Sequence, residues 1–550
     1  MCGIFFYITN GKIVASDKPD LEKRFNTLEH RGPDQKRVRY YNSNVMLGFH
    51  RLAIVDPEPT GLQPFETSRY ASITNGEIYN YKQIKEDLIT ENIPWKTYSD
   101  CEVILHLFQF FCQSYTPKEA LEKLCQSLDG EYSFIIYDIQ ENVTYFATDE
   151  LSMRPLFIGE NKKGIYLASE QKALTGLQVT RLPAARMGYI ENNMIRVEPH
   201  YDLSSIKIQP ISFEDAALKL RDLLIANTIN KLHADREFVF LLSGGIDSSL
   251  ICSIAAKYLH PVRIRTFTVG FSTDSTDILA ARKVAKHINS IHTEFICSYS
   301  EALEILPFVV RCGETWDQTS NRSSVPMHLC VKKIKEKHPE VAVIFSGEVA
   351  DELLRGYLYN RNCPSLEEGR RDQIMRLENL HTSDGLRADR TTSAYSMECR
   401  FPFFSRDILN FVLSLPMEYL DPKHNNNIEK YILRQAFDLS DNEHEYLPRD
   451  ILWRRKAAFS DSTSVKSGWK GELIKFCETE VTDSRFAARK VLYPYCTPQT
   501  KEDMYYRELF EEYGYEAKTI SFKWLSTWCG DITDSSASIL DVFDEDQIQE

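Results

Sequence analysis

The chain has 550 residues, 43% of them hydrophobic and 26% charged, with a net charge of −14. This length exceeds what one hydrophobic core organises, so at least two domains are expected, and the acidic balance argues against nucleic acid, whose phosphates attract basic faces. No apolar run reaches membrane-spanning length and no basic signal segment opens the chain, so the expectation is a cytoplasmic protein with small-molecule substrates, no nucleic-acid partner and no membrane partner. The thirteen cysteines are scattered, odd in number and never spaced as Cys-x-x-Cys. That pattern argues against a disulfide framework and a structural zinc site.

Met1-Cys2-Gly3-Ile4-Phe5-Phe6-Tyr7-Ile8 reads as an apolar strand with cysteine at its start. Removal of Met1, which a small second side chain permits, leaves Cys2 with a thiol and an α-amino group titrating near pH ~8, so nucleophile and base arrive on one residue. Further along come His30-Arg31-Gly32-Pro33-Asp34, then His50-Arg51-Leu52-Ala53-Ile54-Val55-Asp56, Asn75-Gly76-Glu77 and Ser99-Asp100. Together they supply a glutamine site. Arg51 forks onto an α-carboxylate, Glu77 and Asp100 hold an α-ammonium, and Asn75 with the Gly76 NH faces the oxyanion formed when a thiolate attacks the side-chain amide.

In this order the motifs make the first two hundred residues resemble the class II glutamine amidotransferase domain of glutamine-dependent asparagine synthetases. The resemblance implies an αββα sandwich of the N-terminal-nucleophile hydrolase kind and a glutamyl thioester on Cys2. It also implies that the segment from Arg51 through Leu52, Ala53 and Ile54 to Val55 lines the bound glutamine. Helices are expected at 20–28, 81–90 and 101–111, and strands at 45–49, 132–137, 144–147, 155–158 and 165–168. Two stretches depart from the family: Thr148-Asp149-Glu150-Leu151-Ser152 lacks its arginine and glycine, and Met187-Gly188 lacks its proline.

Periodicity is lost between Pro199 and Ser212, which reads as a linker, and Ser212-Phe213-Glu214-Asp215 opens a helix as an N-cap. Phe238 to Leu242 is then a buried strand that stops at Ser243-Gly244-Gly245-Ile246-Asp247-Ser248-Ser249 before helical spacing resumes. Glycines that let the backbone approach a ligand, hydroxyls of Ser243, Ser248 and Ser249, and a helix N-terminus suit an anion. The loop resembles that of enzymes splitting ATP between its α- and β-phosphates. Asp247 beside phosphate is accommodated by Mg2+. A second strand, 262–270, follows in parallel, with Leu241 and Val269 placed to flank adenine. A third, 341–347, runs into Glu348-Val349-Ala350-Asp351-Glu352, where Asp351 is the expected second metal ligand.

This last run is similar to the family's Ser-Gly-Glu-Gly-Ser-Asp-Glu, with Val349 and Ala350 as departures. The match implies that Ser346 and Gly347 contact the nucleotide and that Glu348 takes the proton from attacking ammonia. Thr319 and Arg322 fall in a segment similar to the family's aspartate site. Leu386-Arg387-Ala388-Asp389-Arg390-Thr391-Thr392 repeats a family run, and Glu398 to Ser405 matches another, with Ser405 in place of aspartate. In Arg454 to Asp461, Lys456 is implied to neutralise departing pyrophosphate. From Asp531 onward there are seven acidic residues and no lysine or arginine, so a disordered tail is expected.

The resulting expectation combines α/β and α+β classes: an amidotransferase sandwich over 2–205, a pyrophosphate-loop ATP domain with a parallel sheet over 212–530, and a tail over 531–550. The resemblance implies a ligase using ATP, Mg2+, aspartate and glutamine and allows a homodimer; the place of Arg31 in the turn after His30 suggests that it gates ammonia transfer. A related amidotransferase for another carboxylate and a non-catalytic descendant are the alternatives.

Overall fold

The structure of the chain is a computed structural model and describes residues 1–91, 93–438, 445–455, 468–520 and 522–533. The first sheet has the order β10-β8-β9-β1-β3-β2. Its strands are β1 (Gly3–Ile8), β2 (Gln35–Tyr41), β3 (Val45–Arg51), β8 (Phe157–Asn161), β9 (Gly164–Ala168) and β10 (Gln178–Arg181). The second has the order β12-β11-β7-β6-β5-β4. It is built from β4 (Phe65–Glu66), β5 (Tyr70–Ile78), β6 (Gly130–Asp138), β7 (Val143–Thr148), β11 (Arg186–Glu191) and β12 (Met194–Pro199). All paired neighbours in these two sheets are antiparallel.

Alternation along β1 explains the layering. Ile4, Phe6 and Ile8 point between the sheets and meet Ala71, Ile73 and Ile135 of the second. Phe5 and Tyr7 point outward onto Leu21 and Phe25 of the helix Lys18–Asn26. The outer face of the second sheet, through Tyr132, Phe134 and Ile136, is covered by the helices Glu102–Phe111 and Pro117–Ser127. The result is the expected helix-sheet-sheet-helix stack.

The third sheet is wholly parallel, in the order β15-β14-β13-β16-β17. Its strands are β13 (Glu237–Leu241), β14 (Arg265–Gly270), β15 (Ile291–Ile296), β16 (Val341–Phe345) and β17 (Glu398–Arg400). The helix Phe213–Asn230 leads into it, and the Ser212 hydroxyl caps that helix by accepting from Asp215 N. The expected strand 262–270 begins only at Arg265, since Val262 is 67% exposed and has no core to face. β17 was not foreseen: three residues, two of them charged, carry no period.

The two halves are joined by core and by charge. Leu52, Ile54, Val55, Leu151 and Met153 belong to the same buried cluster as the third sheet. At the junction Arg31, wholly buried, donates from Nε to Cys2 O (2.9 Å) and from Nη1 to Glu170 Oε1 (2.6 Å). Its Nη1 and Nη2 also fork onto Asp389 Oδ2 and Oδ1 at 3.0 and 3.2 Å. Arg390 adds bonds to Glu170 and Glu314, and Arg154 to Glu131. Burial alone pushes the Asp389 carboxyl up, but Arg31 and Arg390 outweigh it and hold the group below the ordinary carboxylate range.

Replacing Asp389 leaves guanidinium groups buried without a counter-charge. Asp389→Ala is therefore expected to destabilise the chain by about 3–5 kcal/mol, read as a lower urea midpoint; a change within about 0.5 kcal/mol would show the cluster to be dispensable.

Candidate active sites

At the first site, Cys2 precedes β1, and its Sγ lies 3.8 Å from the Leu52 carbonyl oxygen. Burial pushes the thiol pKa up, opposed by the chain's amino group and by Arg51. Met1 is itself buried, and burial lowers its amino group to about 6. Asn75 and Glu77 lie on β5 next to Gly76, and Asp100 accepts from Ile78 N at 2.7 Å. Both polar side-chain atoms of Asn75 are buried without a hydrogen-bond partner among the described residues. A buried amide in that state suits a group that completes its bonds on a ligand.

Glu77 is pushed well up by burial, then by Glu398 and Asp100, and it pairs with Arg400 at 3.1 Å. Asp100 is raised chiefly by burial. The Cys101 thiol is also raised, by burial first and then by Asp100, Glu77 and Cys2, so these four groups form one electrostatic neighbourhood. Arg51 donates to Gln35 Oε1 (2.9 Å), Glu58 O (2.6 Å) and Asp56 O, which folds the 51–58 segment around it. Leu52, Ala53, Ile54 and Val55 are buried. Ile54 O accepts from Asp235 N at 2.9 Å, so this segment also docks on the second half.

The second site is a cavity of about 270 Å3 at the carboxyl ends of the parallel strands. Leu241, Ser243, Gly245, Asp247, Ser248, Val269, Ser346 and Gly347 line it, as do Thr319, Arg322, Glu348 and Asp351. Gly244 lies behind the lining at φ 77, where a side chain would meet Ala280 Cβ and Ala281 N at 2.6 Å. Gly347 permits a close approach instead, since a Cβ there would lie 2.8 Å from Ser248 N. The loop's hydroxyls are prearranged: Ser243 Oγ and Ser248 Oγ lie 3.0 Å apart, and Gly245 N donates to Ser243 Oγ at 3.3 Å. Ser249, expected to donate, is instead fully buried and does not line the cavity, because helical geometry turns it toward the core.

Asp247 and Asp351 do converge, and Lys430 lies between them, its Nζ 2.5 Å from each carboxylate. Lys430 is buried and takes the left-handed φ 55. Two carboxylates sharing one cation position suit Mg2+, which takes one or two protein carboxylates and completes its shell with water and phosphate oxygens. Among the described residues no group of three or more His, Cys, Asp or Glu side chains is arranged to hold a metal. Arg322, expected to clamp a substrate carboxylate, lines the cavity while bonding Glu502 through Nη2 at 2.6 Å and Nε at 3.2 Å. Glu348 pairs with Arg387 at 2.7 Å; burial raises it, opposed by that guanidinium. Lys456 lies outside the described residues, as do residues 534–550 of the acidic tail.

Comparison with known proteins decides the family. The family described as glutamine amidotransferase domain matches residues 1–206, and that described as asparagine synthase matches 219–372 and 361–528. The glutamine-hydrolysing asparagine synthetase of Rattus norvegicus is 37% identical over 580 residues, covering 98% of each chain. The Homo sapiens enzyme is 36% identical over 581 residues at the same coverage. The chain belongs to the glutamine-hydrolysing asparagine synthetases. Among solved structures, the B. subtilis glutamine phosphoribosylpyrophosphate amidotransferase aligns with 54% of this chain and 91% of its own, at 15% identity and TM-score 0.34.

Within this family the chain's departures have structural readings. Ser405 caps the helix Arg406–Leu413 by accepting from Ile408 N, and serine and aspartate are both favoured caps. Val349 keeps the left-handed conformation at φ 78, so the turn into Ala350–Leu354 persists without glycine. Asp149 accepts from the backbone N of Tyr132, Leu151, Met153 and Arg154, which fixes the altered turn despite the missing arginine. Lys430, Asp384 and Tyr357 were missed; a lone lysine in Glu429-Lys430-Tyr431 carries no pattern, and only the fold reveals its two partners. Arg387 stood within a quoted run, but nothing in the run assigned it to Glu348.

Glu352 lies behind the cavity, bonded to the Tyr357 hydroxyl, and is raised to about 8 by burial, then by Asp384 and Asp351. The folded chain therefore holds this proton more tightly than the unfolded chain, whose glutamates titrate near ~4.3. The stabilisation is complete below the unfolded value and is lost as pH rises through the folded one. Glu352→Gln is expected to lessen the fall in thermal midpoint between about pH 5 and about pH 8. An equal fall in both proteins would refute the assignment.

Proposed function

We propose that this chain makes asparagine from aspartate, using ATP and the amide nitrogen of glutamine, with AMP, pyrophosphate and glutamate as the other products. The observation that carries the reading is the presence, in one chain joined by a buried charge cluster, of a cysteine sharing one electrostatic neighbourhood with Glu77 and Asp100 and a hydroxyl-lined loop facing paired carboxylates. After loss of Met1, the Cys2 α-amine takes the thiol proton, and the thiolate attacks the glutamine side-chain carbonyl. Asn75 and the Gly76 NH stabilise the oxyanion, ammonia leaves, and water frees glutamate. Arg51 and the 52–55 segment hold the glutamine carboxylate and backbone, and Glu77 with Asp100 its ammonium.

At the second site Leu241 and Val269 flank adenine, and Ser243, Gly244, Gly245, Ser248, Ser346 and Gly347 hold the phosphates. Asp247 and Asp351 would hold Mg2+, which when bound neutralises phosphate charge. Thr319 and Arg322 position aspartate so that its β-carboxylate attacks the α-phosphorus as pyrophosphate leaves, with Lys456 offsetting the departing charge. Ammonia then attacks the acyl adenylate, Glu348 takes the proton, and AMP leaves. Glu348 lines the cavity and its carboxyl is raised by burial, which favours its taking up a proton.

A cytoplasmic location fits thirteen free thiols. Among the described residues no helix is long and apolar enough to cross a membrane. A homodimer is proposed on the resemblance alone.

Cys2→Ala is expected to abolish glutamine-dependent synthesis and to keep ammonia-dependent synthesis, followed as glutamate and asparagine by mass spectrometry. Joint loss of both would contradict the two-site scheme, and amidation of an acid other than aspartate would change the substrate. Asp351→Asn is expected to raise the Mg2+ needed for half-maximal aspartate-dependent pyrophosphate exchange roughly 10–100-fold, and an unchanged requirement would remove Asp351 as a ligand.

A further inference from the structure

Several buried arginines elsewhere in the chain have carboxylate partners: Arg31 with Asp389, Arg154 with Glu131, Arg390 with Glu314, Arg400 with Glu398 and Arg434 with Glu429. Arg181, on β10 and only 5% exposed, has none among the described residues. Its Nη1 donates to the His381 carbonyl oxygen at 2.6 Å, while Nε and Nη2 have no hydrogen-bond partner among the described residues. Its guanidinium lies 4.8 Å from the centre of the Phe157 ring, and that of Arg390 lies 5.7 Å from the same ring. Burial, reinforced by Arg390, lowers its pKa to about 9. A desolvated cation with two idle donors is costly unless an anion completes it.

Arg181 lines a second cavity, of about 710 Å3, which shares no lining residue with the phosphate-loop cavity. Arg186 and Lys518 line it too, with the hydroxyls of Thr180 and Thr382. Three acidic residues also line it: Glu150 is paired with Arg406, Glu516 accepts from Lys518 N, and Glu378 feels the charge of Arg186. Arg181 and Arg186 come from the amidotransferase half, whereas Thr382 and Lys518 come from the synthetase half. We propose that this cavity binds a small oxyanion, a phosphate or a carboxylate, gripped by the Nε and Nη2 donors of Arg181 and screened by Arg186 and Lys518. A guanidinium offers such a group two parallel donors. An anion held there is in contact with both halves of the chain.

The test is calorimetric titration of inorganic phosphate into the full chain saturated with ATP and lacking aspartate, so that ATP, as proposed above, fills the 243–248 loop. The wild type is expected to bind phosphate, and Arg181→Met to bind it about tenfold more weakly or worse, the loss of roughly one charge-assisted contact. A parallel titration with acetate separates a phosphate site from a carboxylate site; binding of either ion that is lost in Arg181→Met supports the proposal. Failure of the wild type to bind either ion, or equal binding by a folded Arg181→Met, overturns it. Should Arg181→Met not fold, Arg186→Ala/Lys518→Ala, which keeps the buried arginine, decides: severalfold weaker binding supports the site and unchanged binding overturns it.

Discussion

A single buried guanidinium, that of Arg31, ties the first residues of the chain to Asp389, 358 positions beyond the arginine. Arg31 holds the carbonyl of Cys2 with one nitrogen and the carboxylate of Asp389 with the other two. Because no water reaches this cluster, each charge depends on its partner, and the cost of separating them is far larger than for a surface pair. The position of Cys2 is thereby referred to the synthetase half, not only to its own sheet. The 52–55 segment reinforces this, lining the first site while its backbone bonds to Asp235. Two chemistries that must share one small, easily protonated intermediate thus sit on a common rigid joint.

The second site sets clustered carboxylates against as many cationic side chains along the cavity wall. Asp247, Glu348, Asp351, Glu352 and Asp384 crowd one end of the parallel sheet, answered by Lys430 and Arg387. Such crowding is a poor arrangement for stability and a good one for receiving a cation and polyphosphate. The strain at Lys430 and Val349, both left-handed non-glycine residues, is concentrated at the same place. At Glu348 burial pushes the carboxyl up while Arg387 opposes that rise.

Much of this was legible in the chain itself. The buried strand running into Ser-Gly-Gly-Ile-Asp-Ser-Ser fixed the cavity's floor, because only a parallel strand end with a free helix terminus gives that pattern use. The alternation Ile4, Phe5, Phe6, Tyr7 foretold a strand covered on both faces, as the four-layer stack requires. What was hidden depends on distance in sequence. Lys430 reaches Asp247, 183 positions away, only after folding, and β17 is too short for any period. Ser249 shared its neighbours' chemistry, and only the helical rotation removed it from the loop. Arg181 reads as an ordinary edge-strand arginine until its lack of a partner is seen.

The central claim is that the Arg31 fork makes one machine of two sites. It is tested most directly by counting glutamate, AMP and asparagine together in the wild type and in Arg31→Lys, which keeps the charge but loses the two-pronged grip on Asp389. The account predicts near-equal yields in the wild type and glutamate in clear excess over asparagine in the variant, with ammonia-dependent synthesis retained. Equal yields in both proteins would contradict it.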